Sequence, residues 1–174
     1  MSIFYKRCWV TVFVSLLLWT HHTQAEPILA AGLLGSATTH VGAPPMYGGF
    51  GGEVSLVKYF SSKMDGLGVG GVAQVQSVGL DHVRAQIGPQ VNYWTFGSEF
   101  CLFAEQKNAT YATTLGLHLA PFMSIGFASA AFRIGIPLTT VGSGPRYPVD
   151  LGAVLTLKVV IDVSGGRILF FSTK

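Results

Sequence analysis

Cysteine is almost missing from this chain. Of its two cysteines, Cys8 falls in a segment that reads as an export leader, leaving Cys101 alone, so no intramolecular disulfide is expected in the processed chain. Charge is scarce too. Charged residues make up 11% and hydrophobic residues 49% of the sequence, with a mean hydropathy of +0.48, whereas a soluble domain carries about a quarter charged residues. Beyond the first 25 residues no apolar run approaches the 18 or more of a membrane-spanning helix. The net charge of +3 comes without any basic run, so nothing argues for nucleic acid. A helical period is absent as well. These absences leave two classes, a very apolar soluble β domain or a barrel that faces lipid.

The first segment has the layout of a signal peptide. Lys6 and Arg7 form a basic start, an apolar run extends from Cys8 to Trp19, and Thr23-Gln24-Ala25 supplies small residues at the last and third-last positions. About a dozen apolar residues are too few to cross roughly 30 Å of hydrocarbon. The expected organisation is therefore a leader over 1–25, one β domain over 26–163 and a tail over 164–174.

Within that domain the dominant signal is a two-residue period. His82, Arg84, Gln86, Gln90 and Asn92 alternate with Val83, Ala85, Ile87, Val91 and Tyr93, the pattern of a strand with one wet and one apolar face. Leu67, Val69, Ala73 and Val75 oppose Gln74 and Gln76. Phe100, Leu102 and Ala104 oppose Glu99 and Glu105, while Leu115, Leu117 and Leu119 oppose Thr114, Gly116 and His118. Leu151, Ala153, Leu155, Leu157 and Val159 oppose Asp150, Gly152, Thr156 and Lys158. Turn signals divide the chain into eight predicted strands, at 27–35, 48–60, 67–78, 82–94, 99–105, 111–119, 122–138 and 149–161. Loops are expected at 36–46 and 139–148, a turn near Ala120-Pro121, and a bulge around 128–130 in the seventh strand.

Sidedness decides between the two classes. A soluble surface is rich in Lys, Glu and Asp, but the polar faces here hold mostly Gln, Asn, Thr, Gly and isolated charges. Such faces suit a crowded lumen. An antiparallel up-and-down transmembrane barrel needs apolar residues outward and polar ones inward over segments of about ten residues, and closure satisfies every backbone amide. The 22 glycines fit the same reading. Tyr47, Phe50, Tyr59, Phe60, Tyr93, Trp94, Phe96, Tyr111 and Phe122 lie near predicted strand ends, where interfacial girdles fall.

Taken together, the leader, the eight amphipathic strands and the alternation of short and long connections resemble small eight-stranded outer-membrane proteins. More narrowly, HLAPFMSIGFASAAFRIGIPL (118–138) and DLGAVLTLKV (150–159) are similar to an uncharacterised group of predicted barrels of myxobacterial type. The resemblance implies general export, residence in the outer membrane of a Gram-negative bacterium, contact with its lipid, and long external loops. The sequence departs from such barrels at its end, where SGGRILFFSTK follows the eighth strand and no aromatic residue is terminal.

The expected lumen set is Glu53, Gln74, Gln76, His82, Arg84, Gln86, Gln90, Asn92, Glu99, Glu105, His118, Arg133, Asp150 and Lys158. Acids and bases nearly balance, as a filled interior requires, because a lone buried charge is costly. That predicts a structural polar network and a closed lumen. Catalysis is the weaker alternative. His82 or His118 could act as base and Ser55, Ser77 or Ser124 as nucleophile in a lipid A-modifying enzyme, but neither a His-x-Ser sequence nor a Gly-x-Ser-x-Gly elbow occurs. No catalytic residues are assigned. The histidines lack neighbours at ligand spacing, so no metal or cofactor is expected. A surface-interaction role would place an extracellular ligand on loops 36–46 and 139–148. The main alternative to the membrane protein is a soluble periplasmic lipocalin-like barrel that holds an apolar ligand.

Overall fold

In the computed structural model the described residues are 27–60, 66–164 and 167–169. The expected leader, part of the return after the second strand and the last five residues lie outside them. Eight long strands follow one another: β1 Pro27–His40, β2 Ala43–Tyr59, β3 Leu67–Val78, β4 His82–Tyr93, β5 Phe96–Glu105, β6 Thr113–Ile125, β7 Ala128–Val141 and β8 Asp150–Asp162. A short β9 spans Arg167–Ile168. Each strand pairs with the next, and β1 also pairs with β8, from Ile28↔Asp162 to His40↔Asp150. All pairings are antiparallel, and the eight strands close into an up-and-down barrel. No helix occurs among the described residues.

Two ends can be distinguished. The terminal end carries the start of β1, the end of β8 and the connections 60–66, 94–95 and 126–127. The loop end carries 41–42, 79–81, 106–112 and 142–149. At the loop end Gly79 and Leu80 are both left-handed, at φ 61° and 60°, which suits the right-handed twist of a tight hairpin. β8 extends past the first residue of β7, since Ala128 pairs with Leu157. From the tail expected at 164–174, β9 comes back over this edge, with Ile161↔Ile168 and a 2.8 Å bond from the Leu169 N–H to the Val160 carbonyl. An otherwise open edge is thus covered.

Strands three and four fall within a residue of their predicted bounds, but other boundaries need correction. The segment 36–46 is not a loop: β1 runs on to His40, pairs Ser36 with Gly49 and Thr38 with Tyr47, and turns only at Val41-Gly42. Gly42, at φ 82°, makes that turn. Pro44 and Pro45 lie in the shifted register between Thr39↔Met46 and His40↔Ala43. Pro121 makes no turn either. β6 passes through it to Ile125, and Gly126, at φ 57°, turns the chain. The missing N–H of Pro121 interrupts the ladder to β7, which resumes at Phe122↔Ala131. The bulge expected at 128–130 lies instead opposite Leu115 and Gly116, at residues 137–139, where Pro137 lacks a donor.

The barrel is apolar outside and polar inside. The outward positions of the eight long strands hold no Asp, Glu or Arg, and their one charged residue is Lys58, near the terminal end. Leu33, Ile87, Leu102, Leu155 and Leu157 are all more than 60% exposed. At the terminal end Phe60, Tyr93, Trp94, Phe96 and Phe127 are exposed around the rim. Four of the expected girdle groups turn inward instead: Phe122 is buried, Tyr59 accepts from Asn92 in the lumen, and Tyr47 and Tyr111 join the ring cluster of the loop end.

Candidate functional site: the polar interior

Strand alternation delivers the polar side chains to the lumen. Thirteen of the fourteen expected residues are buried, and Lys158 is half-buried. They form two connected layers. Near the loop end Arg84 donates to Asp150 Oδ1 at 3.2 Å and Oδ2 at 2.7 Å, and to Glu105 Oε2 at 2.7 Å. His82 Nε2 lies 2.6 Å from Glu105 Oε1, and its Nδ1 lies 3.4 Å from Asp81. Arg133 donates to Thr38 Oγ1 at 3.0 Å and approaches Asp150 at 4.0 Å. With the Gln76 carbonyl toward Arg133, it accepts from both terminal nitrogens, at 2.9 and 2.7 Å. Arg84 also lies over the Phe103 ring at 5.1 Å. Gly135 makes room for Asp150, because a Cβ there would overlap its carboxylate.

Deeper toward the terminal end the layer is built on amides. Gln86 donates to Gln74, whose own amide donates to both Glu53 Oε2 at 3.0 Å and Glu99 Oε2 at 3.1 Å. Lys158 pairs with Glu53, and Thr156 donates to it at 3.3 Å. Beyond this layer Gln90 donates to Asn92 at 2.9 Å, and Asn92 to Tyr59 at 3.0 Å. His118 is buried beside a void of about 10 Å³ lined by Glu53, Gln74 and Glu99, with both ring nitrogens lacking a hydrogen-bond partner among the described residues. Cys101, opposite His118 in the ladder, is buried and free.

The loop end is closed by an aromatic plug that sequence reasoning missed. Tyr147 is 1% exposed although it sits in the 142–149 connection. Its ring lies 4.7 Å from Tyr111, 5.0 Å from His82 and 5.9 Å from His40, and Tyr47 is 5.4 Å from His40. The Tyr147 hydroxyl donates to the Gln106 carbonyl at 2.8 Å, and its N–H donates to Thr114 at 3.2 Å. Burial, followed by the Glu105 and Asp81 carboxylates, pushes the phenol above its ordinary range. It therefore stays a neutral donor. The available signal was a single aromatic between Arg146 and Pro148 in an otherwise polar loop, which carries no periodicity.

The proposed catalytic pairs do not form. His82 is engaged by two carboxylates, and Ser124 donates to the Ala128 carbonyl at 3.4 Å. Ser77 lies on the outward side of β3. No group of three His, Cys, Asp or Glu among the described residues could hold a metal ion. At the opposite end the lumen is not filled. A cavity of about 320 Å³ opens there between Ile28, Val57, Phe122 and Val160, with Lys158, Gln90 and Ser55 toward its floor.

The molecule is thus a closed eight-stranded antiparallel barrel with an apolar exterior, a hydrogen-bonded ionic interior and one capped end. No protein-family model, curated protein or solved structure matches the chain.

Proposed function

We propose that this protein is an outer-membrane β-barrel, closed to conduction, which serves a structural or surface-interaction role in a Gram-negative envelope. The observation that carries this reading is the distribution of charge. Around the whole circumference the outward strand positions are apolar or small save Lys58, while Arg84, Arg133, Glu53, Glu99, Glu105 and Asp150 are buried inside. Water would leave such an exterior with an apolar surface far beyond the few hundred Å² that soluble monomers expose. Hydrocarbon would stabilise it, and the closed ladder leaves no strand edge open to lipid. The terminal-end aromatics and Lys58 fit an interface, where amphipathic rings and long basic side chains place their polar ends in water.

Side-chain volume supports closure. Arg84, Arg133, Tyr147, Gln76 and Glu105 are among the largest fully buried side chains, and eight strands enclose a space that side chains fill. With both termini periplasmic, the recognition surface would be the loop end, formed by 106–112 and 142–149. Fractionation tests the location: the chain should enter the outer-membrane fraction and migrate differently on gels before and after heating. Recovery from the periplasm without detergent would favour the soluble lipocalin-like carrier. Steady conductance of the purified protein in a planar bilayer would refute closure.

A further inference from the structure

The interior changes character along its axis. From the loop end to the level of Glu53 and Glu99 the lumen is packed with ionic and amide side chains. Toward the terminal end Ile28, Ala30, Val57 and Phe122, all buried at 4–8% exposure, form an apolar wall beside the polar string of Gln90, Asn92 and Tyr59. Several inward groups there are small, including Ala30 and Ser55, so a space of about 320 Å³ remains, within the range of small-molecule sites. Its mouth is formed by the β4–β5 and β6–β7 turns, where Trp94, Thr95, Ile125 and Gly126 line it.

The floor specifies a head group. Lys158 and Glu53 form an ion pair that is neutral as a unit. Gln90 is 3% exposed and uses its amide N–H toward Asn92, while its Oε1 has no hydrogen-bond partner among the described residues. That oxygen is screened from the cavity that Gln90 lines, so a ligand donor would reach it with a turn of the side-chain amide and would then satisfy a costly open acceptor. A cationic head would repel Lys158. An anionic head would compete with Glu53 and leave a buried carboxylate uncovered. The complement is an uncharged O–H or N–H group. Gln90 on β4 and Trp94 in the turn that follows it are four residues apart, at most about 13 Å at the strand rise, the depth of a medium-length aliphatic chain.

We propose that the terminal-end cavity is a binding site for a small neutral amphiphile, whose hydroxyl or amide head donates to Gln90 and whose aliphatic tail lies between Ile28, Val57, Phe122 and Val160. The site is independent of where the protein resides, so its failure and the failure of the outer-membrane reading are separate results.

The test uses the full chain in lipid nanodiscs, or in buffer if it is soluble. Bromooctanol with bromine on the tail carbon is titrated while tryptophan emission is followed, and a Trp94→Phe variant isolates the Trp94 signal. Saturable quenching assigned to Trp94 is expected. It should weaken about fivefold in Gln90→Met, the effect of one hydrogen bond. Filling the space with Ala30→Phe, or with Ser124→Phe should the first variant lose its β circular dichroism, should abolish saturation. Bromooctane should bind more weakly than the alcohol and ignore the Gln90 change. Linear quenching that is the same in the filled variants would overturn the site. Tighter binding of bromooctanoate, or an affinity for the alcohol unaltered by Gln90→Met, would overturn the head-group assignment.

Discussion

Arg84 on β4 and Asp150 on β8 meet across the lumen, with two bonds of 3.2 and 2.7 Å between residues 66 apart in sequence. The same guanidinium holds Glu105 on β5 at 2.7 Å. One side chain therefore ties three staves of the barrel, and Arg84 is only 1% exposed. Such a fork matches carboxylates in a way lysine cannot.

The first prediction follows from this geometry. Arg84→Met removes the one cation among the described residues that bonds both carboxylates, and breaking a buried ion pair from one side costs about 3–5 kcal/mol. Thermal unfolding of the variant should show a loss of that size. The double variant Arg84→Met/Asp150→Asn should recover part of it, because one orphaned charge is gone. An additive double variant would mean that the pair does not interact.

How far this interior could be read from the sequence depends on contrast between neighbouring residues. β4 alternates His, Arg and Gln with Val, Ala and Ile, so its bounds and its inward set were both legible. Before its last residue β1 carries Ser36, Ala37, Thr38 and Thr39, the first two opposite Gly49 and Gly48; small residues have little hydropathy contrast, and the hairpin read as a loop. Prolines misled for another reason. Pro121, like Pro44 and Pro45, signals a break, yet a strand tolerates a missing N–H when the ladder resumes on either side. Pairings were out of reach because alternation assigns a face but says nothing of which inward residues share a level. Nothing local foretold that the 142–149 connection would return Tyr147 to the lumen.

The second prediction concerns Gly135. It sits beneath the Asp150 carboxylate, which occupies the place of any added Cβ. Gly135→Ala must therefore displace Asp150 and loosen its bonds to Arg84. A destabilisation of about 1–3 kcal/mol is expected, the usual cost of overpacking. In an Asp150→Ala background the same alanine should cost much less. Equal costs in both backgrounds would show that the glycine serves the backbone rather than the carboxylate.

His118 supports the opposite expectation. It is 4% exposed and neither ring nitrogen is bonded within the described residues, so it bears the penalty of an unsatisfied buried group. His118→Leu should therefore leave stability unchanged or raise it by about 1–3 kcal/mol. If the protein instead releases an acyl product from outer-membrane lipid, and this variant loses that product, His118 is retained for chemistry and the enzymatic reading returns. A large drop in stability would mean that the ring is bonded in solution.

Tyr147 gives a prediction about pH. Its phenol is held above the ordinary value of 10.0, chiefly by burial, so the folded loop end keeps the proton after the open form has lost it. The sign follows from linkage: above pH 10 the open state binds fewer protons, and closure weakens as pH rises. Below that value Tyr147 contributes no pH dependence to closure. Absorbance of ionised tyrosine should rise in two phases, with the Tyr147→Phe variant lacking the later one. The same variant loses the 2.8 Å bond to the Gln106 carbonyl but keeps its ring against Tyr111 and His82. It should therefore lower protection of the Ala112 and Tyr147 amides from hydrogen exchange by about fivefold, as expected for one hydrogen bond. Amides in the middle of β4 and β8 should be unaffected. If loss of the hydroxyl instead accelerates exchange throughout the barrel, the plug is a keystone of the whole fold, and closure of the loop end cannot be separated from global stability.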